Sequence, residues 1–146
     1  MATTRNATTV WEGSLLDGAG TVTLDSSGLG TYDVTWASRA QDPEGRTSPE
    51  ELIAAAHAAC FAMALSSGLE KGGNPPDSIR AEAGVQLRFV DGVPTIAQID
   101  LDVVGSVPGV DQDGFQAAAA EAKAACPVSR ALAGVPEINL TARLEG

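Results

Sequence analysis

The chain predicts an α+β fold in which strands and helices lie in separate layers. Three features carry this expectation. Short alternating segments fill the first forty residues, one long and almost wholly apolar helix follows them, and two strongly alternating segments come next, before a second helix and a last strand. Strands clustered apart from helices suit layers better than a wound parallel sheet. The 146 residues fit a single domain, 1–146, without repeats or an internal linker.

The elements follow in order. Thr8–Trp11, Gly20–Leu24 and Thr31–Trp36 read as a three-stranded meander, with turns at Glu12-Gly13-Ser14 and Ser26-Ser27-Gly28. A polar loop, residues 37–47, leads to the long helix. Ser48 is an N-cap, Pro49 suits the first helical position, and Glu51 completes a capping box. Residues from Leu52 onward are apolar or small on all sides, the pattern of a buried helix. Glu70-Lys71-Gly72-Gly73 ends it. Such a rod, about twenty residues and roughly 30 Å long, needs cover from the chain, from a second copy, or from both. Ser78–Phe89 and Thr95–Val104 alternate and are joined through Asp91-Gly92, a hairpin signal. A helix from about Asp111 to Ala125 turns Phe115, Ala118, Ala119 and Ala122 inward and halts at Cys126-Pro127. Val128–Leu132 restarts as a short helix, and Glu137–Leu144 closes the chain as a strand.

Composition excludes several classes. The chain has 19 acidic and 9 basic residues and a formal charge of −10, and no basic cluster suited to nucleic acid or anionic membranes. The first residues carry no apolar signal region, and the longest apolar run is interrupted by His57 and small residues. A cytoplasmic location is expected. Two cysteines and one histidine are too few for a disulfide framework or a Cys/His zinc site. If the cysteines act, they act as thiols.

Cys60 lies mid-helix, where a thiol also serves as a small apolar filler. Its own helix places no cation one turn away, and a nucleophilic thiolate needs positive potential nearby. His57, one turn earlier, is within reach of it, although a lone histidine is usually a hydrogen-bonded core residue. Cys126 stands at a helix break with Lys123 and Arg130 close in sequence, which predicts a mobile and fairly exposed thiol suited to resolving an oxidised partner.

Taken with their surroundings, these residues resemble the OsmC/Ohr family, and its OsmC branch in particular. The resemblance rests on Trp11-Glu12-Gly13, Gly20-Thr21-Val22, Thr47-Ser48-Pro49-Glu50-Glu51-Leu52, the run Ala56-His57-Ala58-Ala59-Cys60-Phe61-Ala62-Met63-Ala64-Leu65, Val107-Pro108-Gly109-Val110 and Cys126-Pro127-Val128-Ser129. It spans nearly the whole chain in order. The Ohr branch usually carries a tyrosine where His57 stands and Cys-Pro-Tyr-Ser later. One departure is Ser48, where the family usually has asparagine; N-capping is preserved.

The resemblance implies a thiol-dependent organic hydroperoxide reductase, with an antiparallel sheet wrapped on a long central helix plus a second helix, in an intertwined homodimer. It implies that Cys60 is the peroxidatic cysteine and Cys126 the resolving one, while Arg39 and Glu50 organise the site. It implies no cofactor, only an external dithiol, of lipoyl or other small type, as reductant.

Helix geometry adds an expectation. Glu50 and Cys60 are ten residues apart, about 15 Å along one helix. Glu50, with Arg39, is therefore expected to serve the Cys60 of a partner chain. Ala, Leu, Phe61 and Met63 are expected to line an apolar pocket that prefers organic hydroperoxides to hydrogen peroxide. Two other readings stay open. One is a Cys60–His57 hydrolase or acyl transferase; the other is a non-catalytic dimeric ligand-binding module.

Overall fold

A computed structural model describes residues 1–145. The chain falls into two compact units, Met1–Leu52 and a second from Ile53 onward, with the boundary inside the long helix.

The first unit holds β1 (Thr8–Glu12), β2 (Ala19–Thr23) and β3 (Thr31–Val34) as an antiparallel meander in the order β1-β2-β3. Gly13 and Gly28 take positive φ in its two turns, at 92° and 67°, which side chains rarely adopt. The strand expected to reach Trp36 stops at Val34. A five-residue helix, α1 (Trp36–Ala40), replaces the start of the expected loop. Local capping explains the difference: Thr35 and Ser38 each accept the other's backbone N–H at 3.0 Å. Ser38 also donates to the Thr47 carbonyl, so the rest of the loop is tied back beneath α1.

The long helix, α2 (Pro49–Lys71), has the expected limits. Ser48 caps it by accepting the Glu51 N–H at 3.1 Å. Only half of the expected capping box forms, because the Glu51 carboxylate accepts from the Thr47 hydroxyl at 2.6 Å.

In the second unit, β4 (Ser78–Val90) and β5 (Val93–Ser106) form an antiparallel hairpin. Asp91 and Gly92 turn it, both with positive φ, at 51° and 77°. After β5 come α3 (Gln112–Ala125), α4 (Pro127–Ala131) and β6 (Glu137–Leu144). Strand β6 pairs with β5 in parallel, so the sheet β4-β5-β6 is mixed rather than wholly antiparallel. Parallel neighbours need a crossover, and α3 with α4 supplies it.

Burial on α2 is one-sided. His57, Phe61, Leu65 and Leu69 form its buried stripe, and the last three join Ile99, Leu101, Val103 and Phe115 in one core. Ala55, Ala59 and Met63, on another face, are exposed. Only 22% of the most apolar stretch of α2 is buried, so the chain itself does not supply the all-round cover its composition asks for. By length and composition α2 could also cross a membrane, a test that core helices of soluble proteins pass too.

Candidate thiol site

The residues expected to carry the chemistry fall into two groups, one in each unit. In the first unit, α1 presents Arg39 and the first turn of α2 presents Glu50. Arg39 donates from Nε to Glu50 Oε1 at 2.9 Å and from Nη2 to Oε2 at 3.0 Å. This two-pronged geometry fixes the plane of the guanidinium and leaves its Nη1 edge for another group. Glu50 is buried, and the guanidinium carbon of Arg39 lies 5.9 Å from the centroid of the Trp36 ring. Beside Arg39 is a hollow of about 500 Å³, walled by Trp11, Leu15, Val22, Trp36 and Leu52. Its lining is mainly apolar, with one fixed cation.

The second unit brings the two cysteines together. Cys60, half-buried on α2, and Cys126, fully buried between α3 and α4, have sulfurs 2.9 Å apart that share a hydrogen bond. Pro127 explains the position of Cys126. It forces the preceding residue out of helical geometry, and Cys126 takes φ −58° and ψ 122° as it ends α3 and begins α4. The expected break is there; the expected exposure is not. Cys126 belongs to the core with Phe115, Ala119 and Ala122, since the chain turns inward at the break. Nor do its sequence neighbours charge it: Lys123 donates to the Ile138 carbonyl at 2.7 Å, and Arg130 is exposed.

The two thiols differ electrostatically. Burial raises the pKa of Cys60, the hydrogen bond with Cys126 raises it further, and the Val128 backbone opposes both. Burial also pushes Cys126 up as its largest single influence. The contact with Cys60, the backbone and hydroxyl of Ser129 and the backbone of Val128 together outweigh it, and the net direction is down.

His57 does not pair with Cys60. Its Nε2 lies 2.6 Å from Ser129 Oγ, and its buried Nδ1 has no hydrogen-bond partner among the described residues. Sequence reasoning gives Ser129 no role. The available signal is its place three residues after the helix-starting Cys126, where side chains meet across the first turn. Phe61 does not line a pocket beside the thiol: it is fully buried in the core, whereas Met63 is 71% exposed. Phe61 and Met63 are two positions apart on a helix and so face different ways.

The chain is similar to known proteins along most of its length. A family model described as OsmC-like protein matches residues 41–141. The chain is 43% identical over 135 residues to Peroxiredoxin OsmC of Escherichia coli (strain K12), covering 92% of each chain. The organic hydroperoxide resistance protein OhrB of Bacillus subtilis matches with a TM-score of 0.68 and 26% identity, over 96% of this chain and 98% of that one. An organic hydroperoxide resistance protein from Elizabethkingia anophelis shares the fold, with a TM-score of 0.75 and 24% identity over 99% of this chain and 100% of that one. The chain belongs to the OsmC family.

Proposed function

We propose that this protein is a thiol-dependent peroxidase that reduces organic hydroperoxides to alcohols with Cys60 and Cys126. The observation that carries the reading is the pair of sulfurs 2.9 Å apart in a chain related to a peroxiredoxin. The Cys60 thiolate attacks the outer peroxide oxygen, the O–O bond breaks, and the alkoxide takes a proton to leave as alcohol. Cys60 becomes a sulfenic acid, and condensation with Cys126 gives a disulfide and water. A disulfide has sulfurs about 2.05 Å apart, so closing from 2.9 Å needs roughly 1 Å of movement. An external dithiol, of lipoyl or other small type, restores the thiols, and no cofactor is required.

Cys60 is raised by burial and has no cation of its own helix beside it, so it needs one from elsewhere. Arg39, held by Glu50, has the right character: always charged, fixed in plane, and next to an apolar hollow that suits an alkyl or aryl tail. In our reading Arg39 and Glu50 of one copy serve Cys60 of the other in a homodimer. The helix distance of about 15 Å between Glu50 and Cys60 supports this, as does the uncovered apolar face of α2. The enzyme works in the cytoplasm as one OsmC-like domain per chain.

The test follows loss of tert-butyl hydroperoxide with dithiothreitol or dihydrolipoamide. Cys60→Ser is expected to be inactive, and Cys126→Ser to oxidise once and stop. Equal activity in both variants and the parent would overturn the proposal.

A further inference from the structure

Lys123 and Arg130, the cations close to Cys126 in sequence, have no role in the proposed thiol chemistry, yet both line one cavity. It lies in the second unit, between the end of α3, α4 and the start of β6, and holds about 850 Å³, a size typical of small-molecule sites. Its walls are largely apolar, with Ala120, Ala124, Val135 and Leu140 among them. Although the chain has a formal charge of −10, no carboxylate among the described residues lines this cavity. Asp100 and Glu137, which accept from the Asn139 amide, stay outside the lining. Lys123 is half-buried and held in place: its Nζ donates to the Ile138 carbonyl at 2.7 Å, on the edge strand of the sheet. That bond uses one of three N–H groups and leaves two for another acceptor. Arg130 is exposed, and neither cation has an ion-pair partner among the described residues. Each also stands in the last turn of its helix, where a cation favours the negative end of the dipole. That role does not require both to share one apolar cavity free of carboxylates.

We propose that this cavity is a binding site for a medium-chain fatty acid anion. The carboxylate is held by Lys123 Nζ and the Arg130 guanidinium through charge-assisted hydrogen bonds, and the alkyl chain covers Ala120, Ala124 and Leu140. Ala120 and Ala124 are one turn apart, roughly 6 Å along α3, which suits a chain of medium length. Both halves of the ligand are needed. A small anion alone would satisfy the cations and leave the apolar walls wet, whereas a neutral alcohol would cover the walls and leave half-buried Lys123 without a counter-charge. The site is distinct from the hollow beside Arg39, whose cation is already paired with Glu50. It uses neither cysteine and stands independently of the peroxidase reading. Ser129 also lines the cavity, and its Oγ lies 2.6 Å from His57 Nε2. The only histidine of the chain therefore reports on occupancy.

The test titrates decanoate into nitrogen-15-labelled wild type, Lys123→Gln and Arg130→Gln, followed by NMR, with 1-decanol and acetate as controls. Saturable shifts are expected at the amides of Ala124, Ser129 and Leu140 and at the His57 ring. Each variant should bind decanoate about tenfold more weakly or worse, and so should the wild type bind 1-decanol and acetate. Arg130 is exposed, so its variant keeps the fold even where loss of the Lys123 bond to β6 costs stability. The absence of saturable shifts, equal affinity in the wild type and both variants, or equal binding of either control overturns the proposal. Shifts confined to the Trp11 and Trp36 indoles would put decanoate in the hollow beside Arg39 and overturn it as well. Sedimentation velocity of Arg130→Gln should match the wild type. Loss of assembly in that variant would make the cavity a contact between copies of the chain, which also overturns the proposal.

Discussion

Cys60 and Cys126 are 66 positions apart in sequence, yet their sulfurs stand 2.9 Å apart. A continuous helix fixes one of them, and a proline-imposed break between two helices fixes the other. Of the cations close to Cys126 in sequence, Lys123 is spent on a backbone carbonyl and Arg130 is exposed. In the proposed mechanism the cation that Cys60 needs comes from Arg39.

The Arg39–Glu50 pair is where charge and geometry can be separated. Arg39→Lys keeps the positive charge but cannot reproduce the two-pronged bond, and kcat/KM for an organic hydroperoxide should fall about 10- to 100-fold. Glu50→Gln should cost less, about tenfold, because it loosens the guanidinium without removing it. Steady-state kinetics on both variants check this; an unchanged Arg39→Lys enzyme would show that orientation is not needed.

A charge on the uncovered face of α2 should disrupt assembly. Met63 is 71% exposed in the single chain, and Met63→Glu would place a carboxylate in any interface formed there. Sedimentation velocity should show dimers for the parent and monomers for the variant, with peroxidase activity falling in step. A variant that remains dimeric would place the interface elsewhere.

Stability should depend on pH through His57. Its folded pKa lies below the ordinary 6.5 because burial disfavours the charged ring. Between the folded value and 6.5 the unfolded chain therefore binds more protons, so stability rises with pH through that window. The full contribution is present above about 6.5 and is lost as pH falls below it, before most carboxylates titrate. Melting temperatures from pH 7.5 down to about 5.5 should fall for the wild type and less steeply for His57→Gln. Parallel slopes would rule out His57 as the source.

Close packing at Gly105 makes a further prediction. A Cβ there would lie 2.6 Å from the Phe115 ring, which is fully buried. Gly105→Ala should therefore destabilise the protein by about 1–3 kcal/mol in urea unfolding. Gly84 is the control: a Cβ added there would meet nothing within 4 Å, so alanine should be tolerated.

Much of the fold is local and so is legible in the residues themselves. The meander, the span of α2, the Asp91-Gly92 turn and the end of α3 at Pro127 follow from alternation, capping and backbone preference. The departures have local causes too. Ser38 lies in a stretch that reads as loop, yet its reciprocal cap with Thr35 makes a helix of Trp36–Ala40. Glu51 suits a capping box, but the Thr47 hydroxyl takes its carboxylate.

The sequence by itself determined which residue types were available for chemistry: two thiols in distinctive motifs, one histidine, an arginine ahead of the long helix and a glutamate at its start. Only the tertiary structure decided how they are used. The meeting of the sulfurs, the Arg39–Glu50 pairing and the contact of His57 with Ser129 join residues 66, 11 and 72 positions apart, and the burial of Cys126 follows from the same packing. Such contacts depend on packing between elements, and hydropathy periods and caps report only on the element that carries them.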